Sequence, residues 1–164
     1  MKPLLDRVLP SILVFLALAA CSSENAPGPA SACNELVHDG TTHGVALASN
    51  PPTPLFGGVI SDGNYVLTAA RLFNVPANVN FTRQLGASLQ IRGDVIEQVS
   101  QVDGQIERRT FKYTVANTTT LSMVDTCASS TAQMHGFEAT STRFEFLSAE
   151  PGTGYTLQQV FTKR

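Results

Sequence analysis

The chain has 164 residues, 43% of them hydrophobic, with 11 Lys+Arg against 13 Asp+Glu and a net charge of −2. That balance leaves no basic footprint for nucleic acid, and no cluster of Lys or Arg offers attraction to anionic lipid. Residues 21–164 alone are long enough for one domain with a real core.

The first stretch is a charged start (Lys2, Arg7) followed by an apolar run over 8–20, broken only by Pro10 and Ser11. Leu18-Ala19-Ala20 precede Cys21, and the polar run that follows has neither helical nor strand period. A basic start, an apolar middle and small residues before a cleavage point make a secretory signal. The apolar run is well short of the roughly 20 residues that span a bilayer. Leu18-Ala19-Ala20-Cys21 resembles the lipobox of bacterial lipoproteins. The resemblance implies that 1–20 are removed, that Cys21 becomes the first residue, and that it carries acyl chains. Each buried methylene contributes about 0.8 kcal/mol, and two or more chains anchor stably in a lipid bilayer. Ser22 follows Cys21 where that family uses Asp to mark inner-membrane retention, which points to the outer membrane of a bacterial envelope.

Three cysteines are an odd count that asks for an explanation. With Cys21 acylated, the lipoprotein resemblance leaves Cys33 and Cys127 as a disulfide pair, in a compartment where disulfides persist. Two free thiols or a metal pair are the alternatives, and no CxxC spacing supports metal. Residues 21–32 then form the lipidated N-terminus and a flexible tether, rich in Ser, Ala, Pro and Gly.

From residue 33 the pattern is all-β. A short first strand is expected near 44–49, and Pro51, Pro52 and Pro54 exclude a central strand just after it. Strand-like runs follow at 57–60, 65–73, 87–91, 95–102, 105–115, 119–124, 134–140, 143–147 and 155–163. Turn signals separate them: Asp62-Gly63-Asn64, Arg92-Gly93-Asp94, and Asp103-Gly104, a type I′ hairpin signal. Tyr65, Leu67, Ala69, Arg71 and Phe73 share one parity, as do Glu107, Arg109, Phe111, Tyr113 and Val115. Leu89/Ile91, Leu121/Met123, Phe137/Ala139, Phe144/Phe146 and Tyr155/Leu157/Phe161 continue the alternation. One buried and one wet face on consecutive hairpins predict a single antiparallel meander barrel of about eight strands over 33–164, with a β-sandwich as the alternative.

Gly57-Gly58-Val59-Ile60-Ser61-Asp62-Gly63-Asn64-Tyr65-Val66-Leu67-Thr68 resembles a recurring G-G-x-I-x-D-G-x-Y-x-L-T stretch of small bacterial secreted lipoproteins. Phe111-Lys112-Tyr113-Thr114-Val115-Ala116-Asn117, with Leu121 and Cys127, is similar to their later G-T-Y-x-V-x-G stretch. Here Phe111 and Lys112 replace Gly and Thr, and Asn117 replaces a turn Gly. The resemblance implies a lipocalin-like architecture and carries no activity.

The chemistry-bearing residues are few. His38, Asp39 and His43 offer two imidazoles and a carboxylate, but a metal site needs three or four converging ligands and only the distant His135 could add another imidazole, so a solvated loop is the expectation. Glu138, Glu145 and Glu150 are expected at wet positions. No G-x-S-x-G elbow and no free thiol supports nucleophilic catalysis, and no motif implies a cofactor. An inward Arg needs a partner or a ligand anion. Arg71, Tyr65, Phe111 and Tyr113 are therefore the candidate ligand-binding residues of a non-catalytic module for a small apolar or amphipathic ligand. The alternative is a structural or interaction protein whose loops at 74–86 and 125–134 bind an envelope protein or a foreign enzyme.

Overall fold

A computed structural model describes residues 33–128, 131–150 and 152–164. The expected signal over 1–20, the acylation site Cys21 and the tether to residue 32 lie outside the described residues.

The strands are β1 (His43–Gly44), β2 (Ala46–Ala48), β3 (Gly57–Gly58), β4 (Gly63–Phe73), β5 (Gln84–Arg92) and β6 (Val95–Val102), then β7 (Gln105–Asn117), β8 (Thr120–Asp125), β9 (Ala132–Ala139), β10 (Arg143–Ala149) and β11 (Thr156–Lys163). β4 to β11 form the expected eight-strand antiparallel meander in sequence order, and β11 pairs with β4 to close the ring. Closure removes the exposed edges that an open sheet would present. The Asp103-Gly104 hairpin has positive φ at both residues, 48° and 87°, as a type I′ turn requires.

The alternation decides what is buried. Tyr65, Leu67, Leu89, Ile91, Ile96, Leu121, Phe137, Phe144 and Phe161 are each no more than 1% exposed and form one inward cluster. Phe146 and Phe161 stack with centroids 5.8 Å apart, and Phe144 lies 5.7 Å from Phe146. In β4 the alternation changes phase. Leu67 faces Phe161 and Ala69 faces Val160, so Thr68 is an extra, bulged residue. Beyond it Ala70 and Leu72 point inward, and Arg71 points out to solvent. The inward placement of Arg71 expected from parity is thereby corrected.

The ring is not uniformly closed. β4 and β5 pair only between Gly63–Val66 and Ser88–Ile91, then diverge. The gap is filled by the preceding segment. β1 pairs with the start of β5, β2 pairs parallel with the end of β4, and Val45 between them is buried in the core. The Val45 N–H donates to Arg83 O at 2.9 Å. Upstream, residues 33–40 cross the outside of the barrel as a strap. Asn34 Nδ2 donates to Gln98 O and Arg109 O, Arg108 Nε to Leu36 O, and Asp39 N to Ser88 Oγ. These bonds lie over β7, β6 and β5 in turn. Outward-facing Val99 is fully buried in this region.

Cys33 and Cys127 are joined, with Cα atoms 5.8 Å apart, fastening the strap to the loop after β8. The opposite end of the barrel is closed by the Gly57–Tyr65 stretch. Gly57 has φ +74°, and a Cβ there would collide with the Thr118 carbonyl. Ile60 lies against the core, Asp62 Oδ1 accepts from Gly93 N, and Tyr65 Oη donates to Ser61 O. The Gly57–Tyr65 stretch is thus an end-closure device.

Candidate ligand-binding site

An eight-strand barrel is just wide enough for side chains to fill it or for one small ligand. In this barrel one end is filled and the other is hollow. The end closed by 57–65 is solid. The other end, ringed by the 74–83 loop, the Asp103-Gly104 hairpin, and the loops after β8 and β10, holds a cavity of about 320 Å³.

The cavity wall has an apolar part, made by Val45, Leu72, Leu85, Phe111, Met123, Phe146 and Leu157. Its polar part comes from Gln98, Ser100, Gln133, His135, Ser148 and Gln159, and its mouth carries Arg83, Glu107, Arg109 and Glu150. The mouth charges pair with one another. Arg109 donates Nε and Nη2 to Glu107 Oε1 at 2.9 and 2.6 Å, and its Nη1 lies 3.9 Å from Asp125 Oδ2. Asp125 Oδ1 in turn accepts from Cys127 N and Ala128 N, which ties the rim to the disulfide loop. Arg83 Nη1 lies 3.7 Å from Glu150 Oε2, with its guanidinium 5.3 Å from the Phe81 ring centroid.

His135 sits in the wall at 8% exposure, edge-on to Phe146. A carbonyl can only accept, so the Nδ1 bonded to Leu147 O at 3.3 Å carries the proton, and in the neutral ring Nε2 is an acceptor. Burial lowers the His135 pKa from its ordinary value, and the Leu147 bond opposes this more weakly.

The chain matches no protein-family model, no curated protein and no solved structure. Geometry therefore carries the functional reading.

Of the four candidates from sequence, only Phe111 lines the cavity. Tyr65 and Tyr113 point inward, but at the closed end, where Tyr113 Oη donates to Gly93 O at 2.8 Å. Burial raises both phenol pKa values, with Asp62 adding to the effect. Arg71 is outside the barrel, its Nη1 3.5 Å from Gln158 Oε1. The inward arginine is Arg109, on the same parity as Phe111. Glu145 keeps the outward parity expected of it, yet is only 3% exposed, held by Arg143 and Gln158 Nε2. Glu150, expected in a solvated turn, joins the mouth. His38, Asp39 and His43 are separated in role: His38 lies against Gly86, Asp39 pairs with Arg164, and His43 Nε2 bonds to Leu67 O.

Sequence reasoning passed over Gln159 and weighed His135 only as a distant further imidazole for a metal site. Each is a polar residue at an inward position, Gln159 between Leu157 and Phe161 and His135 two before Phe137. A polar interruption on an otherwise apolar parity was the available signal.

Proposed function

We propose that this protein is a membrane-anchored, non-catalytic binding module whose barrel holds one small amphipathic ligand at its open end. The observation that carries the reading is the 320 Å³ cavity with mixed lining in a barrel whose other half is filled. Ligand sites span about 300–1,000 Å³, so this cup takes a molecule at the small end of that range. The mouth charges are engaged with one another, and His135 Nδ1 is bonded to backbone, an arrangement suited to holding rather than to attacking a ligand. The envelope address rests on the lipobox-like Leu18-Ala19-Ala20-Cys21 and the short tether before Cys33. An acylated Cys21 would hold the module at the bilayer, with the outer membrane favoured by Ser22.

Native mass spectrometry of the protein extracted from the membranes of an expressing bacterium tests both parts. The expected spectrum shows a chain beginning at Cys21 with acyl mass, lacking two hydrogens for Cys33–Cys127, with a small molecule lost on activation. An unprocessed chain without acyl mass would overturn the address.

A further inference from the structure

Three polar side chains in the cup wall are more than nine-tenths buried, and each turns toward the cavity a hydrogen-bonding group that no protein atom among the described residues satisfies. Gln159, at 6% exposure, makes no side-chain hydrogen bond among the described residues, and neither does Ser100, at 8%. His135 uses Nδ1 on Leu147 O, and its Nε2 has no protein partner among the described residues. They come from β6, β9 and β11, so they face one cavity from three sides of the ring. Groups that face the cup without a protein partner are the ones a bound ligand would have to satisfy. Large apolar inward residues flank two of them on their own strands, Phe137 beside His135 and Phe161 beside Gln159.

From this we infer that the cup selects a compact, uncharged ligand with an apolar body and a buried hydroxyl or amide, read by Gln159, Ser100 and His135 Nε2. The inference rests on the binding-module reading and narrows it. The amide of Gln159 supplies both a donor and an acceptor, the Ser100 hydroxyl rotates to either role, and Nε2 requires a donor from the ligand. A neutral donor–acceptor group satisfies all three. A carboxylate brings no proton for Nε2, and it would give up its hydration among Leu72, Met123 and Phe146. The arginines that could compensate it are already paired at the mouth with Glu107 and Glu150. The apolar wall, including Val45, Leu85 and Phe111, fits the ligand body.

The test is calorimetric titration of the full chain, disulfide intact, with benzyl alcohol, toluene and benzoate. These probes share one ring and differ in a hydroxyl, its absence, and a charge. Benzyl alcohol is expected to bind about tenfold more tightly than toluene, the scale of one net neutral hydrogen bond, and more tightly than benzoate. Gln159→Leu and Ser100→Ala should each shrink the ratio of alcohol to toluene affinity. Equal affinity for alcohol and toluene, a preference that survives both substitutions, or tightest binding of benzoate would overturn the inference and leave the binding module standing. Failure of all three probes to bind would overturn both. A lowered midpoint in Gln159→Leu, with Ser100→Ala binding as wild type, would make the polar wall structural and end the proposal.

Discussion

His135 is the residue whose environment makes the sharpest statement about pH. Its folded pKa lies below the ordinary value of 6.5, chiefly through burial. Between those two values the unfolded chain binds more protons than the folded one, so stability falls as pH drops through 6.5 toward the folded value. The thermal midpoint of His135→Gln should therefore fall less than wild type between pH 7.5 and pH 5.5. Parallel curves would show that His135 does not titrate on unfolding. Glu145 makes a different point. Its carboxylate is buried on the outer face and accepts from Gln158 Nε2 and Arg143. Glu145→Ala leaves the buried Gln158 amide without that acceptor, an expected loss of about 1–3 kcal/mol in denaturant unfolding. Arg71→Ala, by contrast, should cost less than about 1 kcal/mol and leave cup affinity unchanged, since Arg71 is exposed outside the barrel and its bond to Gln158 Oε1 is long, at 3.5 Å. Arg71 also shows why parity reading fails locally. One bulged residue, Thr68, reverses every later position in the strand, and nothing in Ala69-Ala70-Arg71 marks the reversal. The parity of Phe111 and Arg109 was legible because β7 stays regular until Ala116.

The strands of the ring were readable because each is long, alternating and bounded by Gly, Asp, Asn or Pro. The strap was not. Residues 33–40 hold the barrel through isolated side-chain bonds to distant backbone, such as Asn34 to Arg109 O, while the short strand expected near 44–49 is present as the two- and three-residue pairings of β1 and β2. Such contacts leave no period in a sequence. Their effect is nonetheless large, because Val45 completes the cavity wall where β4 and β5 part. The disulfide fixes this arrangement over a separation of 94 residues. A loop of that length corresponds to about 4–5 kcal/mol in the chain-entropy treatment. The double variant Cys33→Ser, Cys127→Ser should lose stability on that scale, read as a shifted denaturant midpoint. It should also show faster amide exchange at Asp39 and Val45 than at the ring strands. A loss under about 1 kcal/mol with unchanged exchange would mean that the strap's hydrogen bonds suffice without the bridge.

At the scale of the whole molecule, one barrel is divided into a solid half and a hollow half. Aromatic and aliphatic side chains fill the end closed by the Gly57–Tyr65 stretch, and polar residues replace them toward the mouth. The division follows the chain in β6, β7, β9, β10 and β11, which carry large apolar residues toward the closed end and Gln, Ser, His, Arg or Glu on the same face nearer the mouth. In β6 the inward series runs Ile96, Gln98, Ser100, Val102, and in β7 it runs Tyr113, Phe111, Arg109, Glu107. That the hollow half is a ligand site is the central claim, and the methionines allow a direct measurement. Met123 lines the cavity, whereas Met134 is 58% exposed on the outer face of β9. With ¹³C-methyl methionine, titration of the full chain with benzyl alcohol should shift the Met123 methyl in a saturable way while the Met134 methyl stays in place. A Met123 methyl that does not move, or moves only in step with Met134, would contradict the claim that this cup binds a ligand.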